Sequence, residues 1–250
     1  MSITDTFDPV SPEIISPAEA IRPVEGFPET LLVCFSYGMF SRLLSITGGQ
    51  EISAFKGGRL IPVYRFAYAG KEMGFYHTLL GGAASAGLLE EAIAKGAKRV
   101  LFFGSCGALD GAVAAGKLII PTSAVRDEGV SYHYAPAEDE ILVETAPALE
   151  EIFRSMRVPY LLTKTWTTDA IYRETAANAA RRRAQGCAVV EMECASVMAV
   201  GQFRHIPVYQ FLYAADCLDG AGWDPRILGN MPEDLRDRIV TVALETAARL

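Results

Sequence analysis

Residues 187–216 read CAVVEMECASVMAVGQFRHIPVYQFLYAAD, and this stretch decides the fold. Cys187 to Val190 form a short β-rich run, and Cys194 to Gly201 are small and apolar, as in a buried helix. Pro207 ends that helix because proline cannot continue it, and an apolar strand resumes at residues 208–213. The pattern therefore predicts a strand, a helix and a second strand, as in an α/β sheet.

Three acidic residues stand at the ends of these two strands. Glu191 and Glu193 flank Met192 after the first strand, and Asp216 ends the second. The carboxyl ends of parallel strands form the ligand crevice of an α/β sheet, so we expect the three acids to converge there. Ionised carboxylates accept hydrogen bonds, which suits a sugar diol, and Asp216 could instead donate a proton. The alternative is that Glu193 only caps the next helix and that Glu191 is solvated.

The composition fits one large globular domain. The chain has 250 residues, of which 50% are hydrophobic, and this is enough to bury a full core. A formal net charge of −7 argues against nucleic acid or an anionic membrane as a partner. No apolar segment is long and uncharged enough to span a bilayer. We therefore expect neither a nucleic-acid partner nor a membrane.

The cysteines and the N-terminus predict a cytoplasmic protein. The five cysteines are scattered and never spaced as CxxC, which is typical of reduced thiols. Residues 1–12 contain acids and prolines where a signal peptide needs a basic start and an apolar run. No spacing of metal-ligating residues appears, so we expect no metal.

The remaining pattern predicts an arm and a domain. Prolines at positions 9, 12, 17, 23 and 28 predict an extended arm over residues 1–28, packed on the surface or on a neighbouring subunit. A single domain follows over residues 29–250. Its further predicted strands are 30–35, 60–68, 72–80, 99–103, 117–121 and 160–163, and its further helices begin at 36 and cover 88–95, 147–156 and 233–250.

Three segments are predicted to be loops near a ligand. Gly81 to Gly87 is a small-residue loop that allows close backbone approach. Residues 104–107, Gly-Ser-Cys-Gly, form a turn that can present N–H groups and a hydroxyl to an anion. Residues 166–173 are aromatic-rich and could stack on a planar base. The alternatives are a tight helix–sheet contact for residues 81–87, an ordinary turn for 104–107 and core aromatics for 166–173.

Taken in order, these motifs resemble the purine nucleoside and uridine phosphorylases. The resemblance covers most of residues 30–220. Its motifs are Leu80-Gly81-Gly82, Gly104-Ser105-Cys106-Gly107-Ala108, Arg126-Asp127-Glu128-Gly129, Ser131-Tyr132-His133-Tyr134, Glu191-Met192-Glu193-Cys194-Ala195 and the strand ending in Asp216. The resemblance implies a three-layer α/β/α sandwich with a central mixed sheet, assembled as a dimer or hexamer. It also implies cleavage of a ribosyl N-glycosidic bond by phosphate, with no cofactor beyond phosphate as co-substrate.

The resemblance also implies roles for individual residues. Glu191, Met192 and Glu193 would bind the ribose, with Glu193 accepting hydrogen bonds from its vicinal hydroxyls. Asp216 matches the acid that protonates a purine, which favours a purine over uracil. Ser105 would contact phosphate, and Arg59 matches an arginine donated to a neighbour's phosphate site. The position of the base-stacking aromatic is Ile171, with Trp166 and Tyr172 close by.

The chain departs from the family at the phosphate site. Two arginines that usually contact phosphate are replaced by Met39 and Phe102. Arginine binds phosphate bidentately and phenylalanine cannot, so phosphate affinity is expected to fall unless another cation substitutes. Two alternatives follow: a nucleosidase in which an acid such as Glu128 activates water, and a non-catalytic nucleoside-binding protein.

Overall fold

The computed structural model describes residues 2–56, 59–219 and 222–250, which include ten strands and seven α-helices. The strands are β1 (Thr30–Cys34), β2 (Gln50–Lys56), β3 (Leu60–Tyr68), β4 (Lys71–His77), β5 (Arg99–Ala108), β6 (Leu118–Asp127), β7 (Glu140–Leu142), β8 (Tyr160–Thr168), β9 (Cys187–Glu191) and β10 (Val208–Cys217). The helices are α1 (Pro17–Ala20), α2 (Tyr37–Thr47), α3 (Gly82–Lys95), α4 (Ala146–Ser155), α5 (Ala176–Ala184), α6 (Cys194–Phe203) and α7 (Glu233–Ala247).

These strands form one mixed sheet. β1 lies between β4 and β5 and is parallel to both, and β5 also pairs in parallel with β10. β3 and β2 extend the sheet beyond β4 as antiparallel strands. The parallel centre is covered on both faces, so its strands are continuous apolar runs such as residues 100–103. The carboxyl ends of β1, β4, β5 and β10 consequently meet at one end of the sheet.

At one side the sheet closes on itself. β10 pairs with β5 and, antiparallel, with β6. β6 continues in parallel through β8 to β9, and β9 returns antiparallel to β5. Five strands therefore form a closed barrel, which leaves them no unpaired edge.

Helices cover both sides of the sheet. α2 and α4 each pack on α7, while α1 and α6 each pack on α3. Every residue from Cys194 to Gly201 of α6 is buried, as expected for a helix that is apolar on all sides. The predicted three-layer α/β/α sandwich with a central mixed sheet is confirmed.

The predicted strands and helices exist, but three predicted loops are wrong. Residues 104–107 continue β5, because the barrel pairs them with β10 on one side and β9 on the other. Residues 166–168 continue β8 for the same reason, since they pair with β6 and β9. Residues 82–87 form the first turns of α3, and the chain enters that helix at Gly81, whose φ is +93°. β2 and β7 are short or polar strands that the sequence pattern did not reveal.

The N-terminal residues run across the surface of the same chain. Thr6 Oγ1 donates a hydrogen bond to the Tyr132 carbonyl at 3.2 Å, and Glu13 pairs with Arg204 at 2.6 Å. The Val24 N–H donates to the Lys95 carbonyl at 3.1 Å. The boundary between arm and domain at residue 28 stays a prediction. None of the helices in the described ranges is long and apolar enough to cross a membrane.

Two glycines of α3 provide a test of its packing on α6. A Cβ added at Gly82 would overlap Ser196 Oγ and come within 3.0 Å of Ser196 Cβ, whereas one added at Gly87 meets nothing within 4 Å. We expect Gly82→Ala to lower the unfolding free energy by about 1–3 kcal/mol, because it overpacks this contact. Gly87→Ala should raise it by about 0.5–1 kcal/mol. Urea denaturation measures both, and equal stability of the two variants would contradict the close contact.

Candidate active site

Glu191 is held entirely by the protein. It ends β9 and is buried, and its Oε1 accepts hydrogen bonds from Thr167 Oγ1 at 2.6 Å and Thr165 Oγ1 at 3.3 Å. Its Oε2 accepts from the N–H groups of Glu193 at 2.8 Å and Cys194 at 2.7 Å. Burial raises the pKa of Glu191, and the hydrogen bonds from Thr167 and the backbone oppose that shift. A carboxylate has about four acceptor positions, so Glu191 is occupied in fixing the segment that follows it.

Glu193 has a different environment, two residues later. It lies at the N-terminus of α6, and its Oε1 accepts a hydrogen bond from the Gly81 N–H at 2.6 Å. Burial raises the pKa of Glu193 to about 8, and the nearby charge of Glu191 adds to the shift. Fewer of its acceptor positions are used than those of Glu191, so Glu193 keeps capacity to bind a ligand hydroxyl. Met192 lies between the two acids and is half-buried.

Asp216 lies across β5 from the end of β9. β9 runs antiparallel to β5 and β10, so these acids meet through strand register and not, as the sequence predicted, because parallel strands end at one edge. Gly107 of β5 pairs with Asp216 on one side and with Val190, the neighbour of Glu191, on the other. Asp216 and Glu191 are therefore two strands apart across β5. A Cβ added at Gly107 would lie 3.2 Å from Asp216 Oδ1 and 2.5 Å from Leu218 Cδ1. The glycine thus leaves room for the acid beside it.

Two residues that the sequence analysis did not select lie beside Asp216. Trp223 Nε1 donates a hydrogen bond to Asp216 Oδ2 at 2.7 Å, while most of the indole ring remains exposed. Glu174 follows a turn of 3-10 helix at Ile171–Arg173. Burial raises the pKa of Glu174 to about 7, and the charge of Asp216 contributes to the shift. Asp216 therefore has an indole donor and a second carboxyl group in its surroundings.

Ser105 lies two residues before Gly107 on β5. Its Cα partner on β10 is Tyr213, which is buried. Burial raises the pKa of the Tyr213 phenol, and a hydrogen bond with the Ser105 hydroxyl and the positive charge of Arg236 partly offset the effect. Ser105 and the Tyr213 phenol thus belong to paired residues on neighbouring strands.

The positions of the two replaced arginines are part of the core. Met39 and Phe102 are buried, and the Phe102 ring stacks on Phe35 with centroids 6.0 Å apart. Neither position can supply a charge to an anion. Arg59 is exposed just before β3, and the structure does not join it to Ser105 within the chain.

The three predicted base-binding residues are not brought together. Trp166 is 1% exposed in β8, its Nε1 donates to Asp127 Oδ2 at 2.9 Å, and the Arg182 guanidinium lies 5.5 Å from its ring centroid. Its burial leaves no face for a base. Ile171 and Tyr172 are exposed on the turn before Glu174, and Tyr172 is 96% exposed. Of the three, Ile171 and Tyr172 have exposed side chains and Trp166 does not.

Glu128 does not have the surroundings of a base that activates water. It is buried, and its Oε2 accepts hydrogen bonds from Val130 N at 2.8 Å, Ser131 N at 3.0 Å and Ser196 Oγ at 2.6 Å. Its Oε1 accepts from Ser131 Oγ. These bonds tie the 128–131 turn to α6, which is a structural role.

Sequence reasoning missed Thr165, Thr167, Glu174 and Trp223. The two threonines alternate along β8 and so share one face, a pattern that would have been visible had the strand been predicted beyond residue 163. Glu174 approaches Asp216 only through tertiary packing, whereas Trp223 is brought to Asp216 by the antiparallel bridge between Cys217 and Asp224. Within residues 2–56, 59–219 and 222–250, no group of three or more His, Cys, Asp or Glu side chains could hold a metal ion.

A family model described as the phosphorylase superfamily matches residues 31–249. The chain belongs to this family, which confirms the resemblance inferred from the motifs. Two relatives are enzymes. The uridine phosphorylase of Thermococcus kodakarensis is 36% identical over 107 residues, 42% of this chain and 39% of that protein. The purine nucleoside phosphorylase of Plasmodium vivax is 29% identical over 180 residues, 68% of this chain and 71% of that protein.

A third relative is an uncharacterized protein of Acanthamoeba polyphaga mimivirus, 25% identical over 159 residues. That match covers 64% of this chain and 60% of the mimivirus protein. The chain therefore matches less than two thirds of the length of the mimivirus and Thermococcus proteins.

Solved structures share the fold. The uridine phosphorylase of Vibrio fischeri has a TM-score of 0.76 at 21% identity, covering 92% of this chain and 95% of its own. The Toxoplasma gondii purine nucleoside phosphorylase, in complex with immucillin-H, has a TM-score of 0.75 at 17% identity, covering 96% and 98%. The AMP nucleosidase of Bacteroides thetaiotaomicron has a TM-score of 0.72 at 19% identity, covering 91% and 90%.

The raised pKa of Glu193 predicts a pH-dependent loss of stability. The folded chain holds this proton up to about pH 8, whereas the unfolded chain releases it near 4.5, so stability falls as the pH rises through this window. Glu193→Gln should abolish the part of this pH-dependent loss of stability that Glu193 causes. Urea denaturation from pH 4.5 to 8 measures the slope, with Glu151→Gln, an exposed acid on α4, as the control that keeps the wild-type slope. Parallel profiles for wild type and Glu193→Gln would contradict the assignment.

Proposed function

We propose that this chain cleaves the ribosyl N-glycosidic bond of a nucleoside, with a purine favoured as the leaving base and phosphate as the nucleophile. The observation that carries the proposal is the pairing of Gly107 of β5 with Asp216 on one side and with Val190, the neighbour of Glu191, on the other. Family membership and the names of the Thermococcus and Plasmodium relatives support the same reaction class. The chain would thus act as a pentosyltransferase.

The proposed reaction assigns one task to each group. Glu193 accepts hydrogen bonds from the ribose diol beside Met192, and Glu191 holds both in place through its four internal hydrogen bonds. A phosphate oxygen forms a bond to the anomeric carbon while the bond to the base nitrogen breaks. Asp216 supplies the proton that neutralises the electron pair left on the base. The products are a sugar 1-phosphate and the free base.

The turn at 171–173 and Trp223 are proposed to line the base site. Ile171 and Tyr172 occupy the turn next to Glu174, and Trp223 donates a hydrogen bond to Asp216. An exposed indole beside a proton donor is suited to contact a planar ring. This arrangement assigns the stacking to residues other than Trp166.

Hydrolysis is the second candidate. The apolar replacements Met39 and Phe102 favour it, because they remove charge from the phosphate site, and an AMP nucleosidase shares the fold. Water would then replace phosphate as the nucleophile. The acids assigned to ribose and base would keep their roles.

A homo-oligomer, as a dimer or hexamer, is proposed, and exposed apolar side chains support it. Large apolar side chains are exposed at several positions, among them Tyr37, Leu60, Leu80, Tyr172 and Trp223. Burial of such side chains against another copy of the chain is favourable. Arg59 stands next to Leu60 and would reach a neighbour's phosphate site across that surface. The five cysteines are buried and unbonded, which supports a reducing compartment such as the cytoplasm.

The direct test is base release from adenosine, inosine, guanosine, uridine and 5′-methylthioadenosine, each with and without phosphate. We expect phosphate-dependent release of a purine with formation of a sugar 1-phosphate. Release at the same rate without phosphate would establish hydrolysis instead. Binding of nucleosides without any release would support a non-catalytic binding protein.

Asp216→Asn should slow release of the preferred purine by about 100-fold or more, because the variant cannot donate the proton. The KM for the nucleoside should change much less than kcat. Asp139→Asn, which alters an exposed acid elsewhere in the chain, serves as the control. Turnover of Asp216→Asn within a few-fold of wild type would exclude the general-acid role.

A further inference from the structure

Arg236 of α7 lies beside the first turn of α2. A Cβ built on Gly38 would be 3.5 Å from Arg236 Nε and 3.7 Å from its Cζ, and 3.6 Å from Ser36 Oγ. Gly38 is the second residue of α2, and Ser36 precedes that helix. The guanidinium is therefore packed against the N-terminus of α2.

The positive charge of Arg236 is not neutralised by the acid next to it. Asp237 is bound by Arg42, with Arg42 Nε donating to Oδ1 at 2.6 Å and Nη2 donating to Oδ2 at 2.8 Å. The hydrogen bond with Arg42 lowers the pKa of Asp237. Arg236 itself makes a long hydrogen bond of 3.4 Å to the Met231 carbonyl and, within the described ranges, no ion pair. Its guanidinium thus keeps most of its donors for another partner.

The helix that Arg236 faces is also positive at this end. The first N–H groups of a helix have no acceptor within the helix and carry partial positive charge. The first turn of α2 contains no acid, and the Ser36 side chain does not cap it. A guanidinium packed against an uncapped helix start is unfavourable by itself, and an anion between the two removes the repulsion.

The start of α2 lies beside the strand that carries Ser105. Cys34 of β1 pairs with Phe103 of β5, and a Cβ built on Gly104 would lie 2.6 Å from Phe35 Cδ2, so the residues that lead into α2 follow β5 towards Ser105. Burial raises the pKa of the Tyr213 phenol, the Cα partner of Ser105, and the positive charge of Arg236 partly offsets that shift. Ser105 and Tyr213 lie on β5 and β10, whose carboxyl ends carry Asp216. Arg236 and the strand that carries Ser105 consequently both lie next to the start of α2.

We propose that Arg236 binds the phosphate co-substrate, together with the Ser105 hydroxyl and the first turn of α2, and so replaces the arginines absent at Met39 and Phe102. The inference rests on the proposed glycosidic cleavage and specifies how the nucleophile is held. The guanidinium offers paired donors that match two oxygens of a phosphate dianion. The positive charge absent at Met39 of α2 and Phe102 of β5 is thus supplied by Arg236 of α7.

The test measures phosphate binding directly, by equilibrium dialysis of the full chain against radiolabelled orthophosphate. We expect the dissociation constant to rise about tenfold or more in Arg236→Met, the order expected when a hydrogen bond to a charged group is lost. Arg236→Lys should show a smaller loss, because it keeps the charge without the paired donors. Arg238→Met is the matched control, since Arg238 is an exposed arginine of α7 that pairs with Asp234 at 2.8 Å.

A second variant tests the same site in case Arg236→Met does not fold. Gly38 has no positive φ, and an added side chain there has ordinary contact distances, so Gly38→Asp can be accommodated. It places a carboxylate between Arg236 and the helix start, where it occupies the anion position and favours the helix. We expect thermal stability to be kept or raised while phosphate binding is lost.

Binding equal to wild type in Arg236→Met or in Gly38→Asp, or no phosphate binding by the wild type, overturns the inference. Base release is measured in parallel, so a failure of the proposed glycosidic cleavage can be distinguished from a failure of the proposed phosphate site. If the wild type releases base without phosphate and does not bind phosphate, glycosidic cleavage is supported. The proposed role of Arg236 is then wrong. Phosphate binding that depends on Arg236, without release from any nucleoside, supports the anion site and excludes the reaction. In an active enzyme, Arg236→Met should raise the KM for phosphate and leave that for the nucleoside unchanged.

Discussion

The buried carboxylate of Glu191 is the interaction on which the site depends. Its four hydrogen bonds come from the side chains of Thr165 and Thr167 on β8 and from the backbone at the start of α6. A buried carboxylate is costly unless such donors satisfy it, so strand, helix and connecting segment are mutually fixed. Glu193 then has one defined position, and the N–H of Gly81, at the start of α3, donates a hydrogen bond to its carboxylate. A binding residue held in this way is preorganised by the core.

Closure of the barrel explains why residues distant in sequence converge at one end. β5 lies between β9 and β10, so Gly107 touches the strand of Glu191 on one side and the strand of Asp216 on the other. The absence of a side chain at Gly107 is necessary, because a Cβ there would meet Leu218, Val190 and Asp216. The same closure extends β5 and β8 through residues that look like a turn and an aromatic loop in the sequence.

The unpredicted extension of β5 and β8 shows which parts of the fold the sequence could not predict. The unit from Cys187 to Asp216 was predictable, because α6 is apolar on all sides and Pro207 marks the change to β10. The ends of the barrel strands were not, because glycine and polar residues there are stabilised by pairing partners far away in the chain. Trp166 illustrates the point: its composition suggested a loop, but its neighbours in β6 and β9 make it a core residue. Glu174 and Arg236 carry no local pattern and acquire their places only from packing.

The replacement of two arginines by Met39 and Phe102 has a physical counterpart in the core. An arginine at either buried position would need an anion or several acceptors to offset its desolvation. Phe102 instead stacks on Phe35, and Met39 is packed against the core. A half-buried arginine on α7 avoids that cost, because its aliphatic stem can pack while its guanidinium stays at the edge of the site. Moving the cation from the centre of the sheet to the surrounding helix layer therefore increases apolar packing and keeps a positive charge beside the start of α2.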